Sequence, residues 1–207
     1  NQLNFILLQL VQALRYEDEN DSQLKQFLLV RCSMEIELAT SLYWFLLVEA
    51  DDSDIKNSSK NSKENPMQMI NFYKNIYHQF ESSLSKDISE TILSQKKLRD
   101  KLVKVSNELS KCRYEEGKKA RLMKIIKNEQ AEYEMLKFPP IALPINPNIK
   151  INGVIPDNCT VFKSAKYPVK YPFTVTNESQ KFIKSEDPSV FQIIFKYGDD
   201  LRQDQLI

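Results

Sequence analysis

Residues 190–204, VFQIIFKYGDDLRQD, decide how the last part of the chain is read. From Val190 to Lys196 the stretch is strongly apolar and rich in β-branched and aromatic side chains, which predicts a strand. Tyr197 and Gly198 end it, and Asp199 and Asp200 offer side-chain oxygens to cap a helix starting at about Leu201. Side chains alternate along a strand, so Ile194 and Lys196 share one face. Asp204 falls in the second turn of the expected helix.

Working back from this stretch, a period of two persists. Ile149 and Ile151 lie on one face of a short strand, which Val154 and Ile155 continue. Residues 160–163 and 169–175 read as two strands joined by a turn over 164–168, and residues 176–189 form a polar connection. Pro139, Pro140, Pro144 and Pro147 then read as an extended linker over 138–148, because proline fixes φ and removes a donor.

Before the prolines the period becomes that of a helix. Leu3, Leu7, Leu10, Val11 and Leu14 recur at spacings of three and four, and Asn20 to Ser22 supply turn and N-cap chemistry. A second helix carries Leu24, Phe27, Leu28 and Val30, and a third covers about 34–50. Leu28 to Val30 and Tyr43 to Val48 are apolar nearly all round, as in helices buried among others. Residues 51–66 are too polar to offset their ordering entropy and read as a flexible insertion. Pro66 begins a fourth helix, residues 87–111 form a fifth, and a turn near Gly117 precedes a sixth that reaches Met135. The expected fold is α+β: an α-helical array over 1–137 followed, from 149 to 207, by an antiparallel β-sheet.

Bulk properties exclude several classes. The formal net charge of +1 gives no global electrostatic case for nucleic acid. Cys32, Cys112 and Cys159 are an odd, scattered set, which argues against a disulfide framework and a zinc site and for a reducing, cytoplasmic compartment. Residues 3–14 lack a basic flank and are too short to span a bilayer. Both ends interrupt apolar runs, so the chain reads as part of a longer one.

A β-hairpin, a third strand ending in lysine and an acidic helix match the layout of a kinase N-lobe. A nucleotide's phosphates need a cation on a rigid strand and a carboxylate to orient it. Ile194 is placed to pack on an adenine, Lys196 to reach the phosphates, and Asp204 to orient Lys196 or a neighbouring tyrosine. The plainer reading of such a lysine is a solvated strand end, and of the Asp-Asp pair a helix cap. Plainer readings also hold for His78 (surface or packing), Tyr43 and Trp44 (core) and Cys159 (a buried strand residue). They hold too for Lys118, Lys119, Arg121, Lys124 and Lys127, a solvated helix face more often than a contact for acidic lipid heads.

The residues themselves shift that balance. IIFKYGDDLRQD at 193–204 and FKSAKYP at 162–168 resemble the N-lobe signature and phosphate loop of the phosphatidylinositol 3-kinases. LLQLVQALRYE at 7–17 and LYWFLLVE at 42–49 resemble the end of that family's helical domain. LYWFLLVE, together with Gly153-Val154-Ile155-Pro156 before FKSA, resembles class III, the vacuolar-sorting type. Lys170, where class I carries a tryptophan, also fits class III. The resemblance implies an ATP site formed by Phe162, Ser164, Ala165, Pro168, Ile194, Lys196 and Asp204. Within it Ser164 faces the β- and γ-phosphates, Lys196 binds the α-phosphate, and Ile194 lines the adenine pocket. Pro168 shapes the loop, and Asp204 joins the polar network behind the nucleotide. It further implies Mg²⁺ as cofactor and phosphatidylinositol in a membrane surface as substrate. A protein-kinase-like regulatory subunit and beclin-type coiled-coil subunits are the implied partners, with peripheral placement at endosomal and autophagic membranes. The catalytic and metal-binding loops are expected beyond Ile207, so no catalytic residue or metal ligand is assigned within the chain. The competing readings are a non-catalytic helical scaffold with an adapted N-lobe and a protein kinase-like relative.

Overall fold

A computed structural model describes residues 2–18, 21–51, 66–164 and 166–198. The expected insertion at 51–66, the helix from Leu201 and Asp204 therefore lie wholly or largely outside the described residues, as does Ala165. The chain is α+β, with seven described helices followed by a five-stranded antiparallel sheet. It divides into two compact units, residues 1–92 with 144–147, and residues 93–143 with 148–207.

The first unit contains α1 (Gln2–Ala13), α2 (Gln23–Ser33), α3 (Ile36–Glu49), α4 (Pro66–Ser83) and the start of α5 (Lys86–Ser110). A 3₁₀ turn, Leu14–Tyr16, ends α1. Ser22 caps α2 as expected, its hydroxyl accepting the Lys25 N–H at 3.0 Å. α3 is charged only at Glu37 and Glu49, and packs against α1, α2 and α4. Its Leu38, Leu42, Tyr43 and Leu46 are fully buried with Leu7, Val11, Leu28, Tyr73 and Phe80. Tyr43 is core as expected, and Trp44 packs at its margin. α2 differs from expectation. Leu28 is buried but Phe27 and Val30 are exposed, so α2 buries one stripe rather than its whole circumference.

The second unit holds the rest of α5, α6 (Glu115–Asn128), α7 (Gln130–Tyr133) and the strands β1 (Ile141–Leu143), β2 (Asn146–Val154), β3 (Thr160–Val161), β4 (Val169–Val175) and β5 (Val190–Phe195). One core joins Leu98, Leu102 and Val105 of α5 and Leu122, Ile125 and Ile126 of α6 to Tyr171, Phe173 and Val175 of β4. The helices between Leu93 and Tyr133 thus pack with the sheet, and the division falls within α5 rather than at the composition boundary near 137. Glu108 pairs with Arg121, which also meets Glu129, tying α5 to α6.

Two further expectations are corrected. The proline-rich stretch 138–148 is not an extended linker, since it contains β1 and the start of β2. Proline is tolerated at strand ends and edges because no ladder donor is lost there. Gly117 lies inside α6 rather than in a turn.

β4 is the sheet's axis. β2 pairs with its C-terminal part, β3 with its N-terminal part, and β5 runs along the whole of it. Pro172 sits mid-strand without a donor. Its carbonyl accepts the Ile155 N–H at 2.9 Å, so its missing N–H faces the same edge, in the gap between the β2 and β3 pairings. No ladder bond is lost. Residues 135–138 lie along β2, with Val154 N–H donating to Met135 O and Phe138 N–H to Asn152 O. At Gly153 a Cβ would come within 2.4 Å of the Leu136 carbonyl oxygen, so only glycine allows this approach.

Candidate functional site

The two faces of the sheet differ sharply. On β4, Val169, Tyr171, Phe173 and Val175 are buried, whereas Lys170 and Thr174 point the other way and keep contact with solvent. On β5, Phe191, Ile193 and Phe195 pack against the same core, while Gln192 and Ile194 are exposed. Ile194 is 62% exposed, a large apolar side chain standing on the open face. Register places Lys170 opposite both Thr160 on β3 and Ile194 on β5. The open face therefore carries a row of hydroxyl, ammonium and apolar side chain across three strands. Lys196 follows one residue past β5 and is half-buried. The strand ends at Phe195, one residue earlier than expected, and alternation still points Lys196 the way of Ile194.

The loop from Phe162 to Pro168 closes on itself. Phe162 N–H donates to Pro168 O at 2.9 Å and Tyr167 N–H to Ser164 O at 3.1 Å. The Ser164 hydroxyl accepts the Lys166 N–H at 3.5 Å. Phe162 and Ser164 are exposed, and Pro168 is buried. The Lys166 ammonium lies 3.6 Å from where a Cβ of Gly198 would be, so the loop reaches the turn after β5. Gly198 holds φ +74° there, a left-handed conformation that glycine adopts without strain.

The structure thus brings Ser164 and Pro168 into one closed loop, and Ile194 and Lys196 onto the adjoining open face. Phe162 closes the loop at its base. Two cations outside the ATP site expected from the sequence join them. Lys170 stands directly beside Ile194. Lys118, read as part of a solvated helix face, is instead 2% exposed. Its ammonium donates to Cys112 O and sits 4.0 Å above the Tyr167 ring. Lys119, the next residue, is exposed. Lys118 stands four and seven positions before the buried Leu122 and Ile125, so helical phase already places it on the apolar stripe of α6.

A groove of about 390 Å³ runs behind the loop, lined by Lys118, Cys159, Phe162, Lys163 and Tyr167 among others. Cys159 is buried as expected, donating from its thiol to Ile155 O. Burial first, and then Asp157, push its thiol up to about 12, which suppresses the reactive thiolate at neutral pH. His78 is exposed, its ring edge against Tyr77. Among the described residues no group of three acidic, histidine or cysteine side chains gathers as a metal site.

The sequence is similar to known proteins along the whole chain. The model of the phosphoinositide 3-kinase family accessory domain (PIK domain) matches residues 1–89, close to where the first compact unit ends. The chain is 38% identical over 213 residues to phosphatidylinositol 3-kinase pik3 of Schizosaccharomyces pombe. It is 31% identical over 214 residues to the root isoform of phosphatidylinositol 3-kinase from Glycine max, and 30% identical over 218 residues to phosphatidylinositol 3-kinase VPS34 of Arabidopsis thaliana. Each match covers 100% of this chain and 24% of the relative, so the chain spans about a quarter of their length.

Proposed function

Since the chain belongs to the phosphatidylinositol 3-kinase family, we propose that it forms the end of the helical domain and the ATP-phosphate-binding N-lobe of a class III enzyme. That enzyme passes the γ-phosphoryl group of ATP to the 3-hydroxyl of phosphatidylinositol. The observation that carries this reading is the open face of β4 and β5, where exposed Ile194 lies beside Lys170 and runs toward Lys196. An exposed apolar side chain with one lysine just past its own strand and another on the neighbouring strand suits a flat base attached to phosphates. Ile194 packs on the adenine and Lys196 holds the α-phosphate. Ser164, with the loop of Phe162, Ala165 and Pro168, covers the β- and γ-phosphates, and Asp204 orients the polar network behind them. Mg²⁺ neutralises the phosphates when bound, and none of the described residues is assigned to it.

The class III reading is supported by Lys170, by Gly153-Val154-Ile155-Pro156 and by a relative that bears the name VPS34. It brings with it a role in endosomal and autophagic trafficking and peripheral attachment to those membranes. It also brings a protein-kinase-like regulatory subunit and beclin-type coiled-coil subunits. Among the described residues no helix is long and apolar enough to cross a membrane. In the full-length protein, Lys196→Met should lower phosphatidylinositol phosphorylation by about 100-fold or more with unchanged folding, the usual cost of losing a preorganised charge at a transferring group. Activity within tenfold of the unmodified protein would remove Lys196 from the site. A lipid-against-peptide substrate panel separates the lipid kinase from a protein kinase-like relative.

A further inference from the structure

Tyr167 is the strained point of the loop. Its φ is +45°, a left-handed conformation in which a bulky side chain is a true outlier. It also precedes Pro168, whose ring disfavours compact backbone at the residue before it. Such a conformer persists only where its surroundings over-determine it. Two contacts do so here: the Tyr167 N–H to Ser164 O bond, and the Lys118 ammonium 4.0 Å above the ring centroid. Lys118 is almost fully buried. Its other contact is the Cys112 carbonyl, two residues past the end of α5, and no ion pair among the described residues includes it. A lysine taken out of water for a carbonyl and a ring is an expensive arrangement unless the ring's position matters.

We propose that Lys118 is a positioning residue. Its ammonium latches the Tyr167 ring to α6 and so holds the Phe162–Pro168 loop in the shape that receives a nucleoside triphosphate. The inference rests on the ATP-binding reading above for its consequence, and on the loop geometry alone for the latch. Lys118 touches no substrate. It sets where the Ser164 hydroxyl and the loop amides stand, so its loss weakens nucleotide binding rather than chemistry.

The test uses the full-length protein and four variants: Lys118→Met, Tyr167→Leu, both together, and Lys118→Arg. Lys118→Met keeps the aliphatic stem and loses the charge. It should raise KM for ATP about tenfold while kcat stays within twofold, the size of a desolvated cation–π contact. Tyr167→Leu should do the same, and the double variant should be no worse than either single one, because both remove one interaction. Lys118→Arg, which keeps a cation over the ring, should return KM to within threefold. In the same variants, hydrogen exchange at the Phe162 and Tyr167 amides should quicken by about tenfold, by the same contact. Multiplying KM effects in the double variant, or unchanged amide exchange in Lys118→Met, overturns the latch. Absence of ATP-dependent lipid phosphorylation in the unmodified protein would instead sink the functional reading, and the exchange measurement would still decide the latch.

Discussion

In the helical unit, Tyr43 and Tyr73 are fully buried and both hydroxyls are used, Tyr43 with Tyr77 at 2.9 Å and Tyr73 donating to Val11 O at 2.9 Å. In the sheet unit, Tyr171 is equally buried, and its hydroxyl has no hydrogen-bond partner among the described residues. The difference concerns what each core has to specify. The helices are held in register partly by polar ties between α1, α3 and α4, which fix one arrangement among several that would bury similar area. The sheet is fixed by its ladder and by close backbone approach, so the buried side chains of β4 work by volume, while Lys170 and Thr174 of the same strand stand on the open face.

The largest effect that could break this contrast lies at the close approach. Gly153→Ala places a methyl 2.4 Å from the Leu136 carbonyl oxygen, a backbone atom that cannot rotate away. We expect about 3 kcal/mol of destabilisation, the upper range for overpacking, confined to the sheet unit. Urea titration combined with hydrogen exchange resolved along the chain would read it. A loss below 1 kcal/mol, or one shared by α1 to α4, would mean that backbone approach does not fix the sheet.

Next come the hydroxyls. Tyr73→Phe should cost about 1–2 kcal/mol, since it strips a bonded donor from a buried site. Tyr171→Phe should be neutral or stabilising by up to about 1 kcal/mol, because it removes a buried polar atom with no bond to lose. Thermal melts of the two variants side by side give the comparison directly. Equal losses at both positions would show that Tyr171 has a partner after all and that the two cores follow one rule.

A third expectation concerns alkaline pH and touches both units. Burial pushes the Cys32 thiol up to about 12 from an ordinary value of 9.0. Burial, followed by Glu49, pushes the Tyr73 hydroxyl up to about 12 from 10.0. Cys159 behaves as Cys32 does, and Tyr171 is raised as well. Each group is neutral when protonated, and folding favours that form. Their contribution is therefore complete below the unfolded values near 9 and 10 and is lost as pH rises toward 12. Stability should be flat from pH 7 to about 9 and fall above it in both units. Alanine at Cys32 should flatten the fall in the helical unit alone, which unit-resolved hydrogen exchange at matched chemical rates would show.

Much of this organisation was legible in the chain. β4 alternates Val169, Tyr171, Phe173 and Val175 with Lys170, Pro172 and Thr174, and its bounds match the period-two reading residue for residue. Ser22 announced the start of α2, and Pro66 that of α4. The rest depended on pairing and packing rather than on local pattern. β1 has three residues between prolines, and it is a strand because β2 folds back on it. The second compact unit begins inside α5, where no break in period marks it. In the site, Ile194 and the loop could be read from their neighbours, whereas Lys118 shares a helix stripe with Leu122 and Ile125 but meets its partner Tyr167 only through the tertiary fold, 49 positions on.

The smallest effect tests how α6 itself is made. Gly117 sits in the first turn of this helix, in the sequence Glu115-Glu116-Gly117-Lys118, and a Cβ built there meets nothing within 4 Å. The glycine read as a turn signal is thus an ordinary helical residue carrying the entropic cost of its free backbone. Gly117→Ala should stabilise the sheet unit by about 0.5–1 kcal/mol, mainly by restricting the unfolded chain. It is the opposite sign from Gly153→Ala at the same chemical change, because one position faces open space and the other a carbonyl oxygen. Since Lys118 is the next residue, the stiffer helix start should also slow amide exchange at Tyr167 if the latch operates. A stabilised helix with Tyr167 exchange unchanged would separate the order of α6 from the order of the loop.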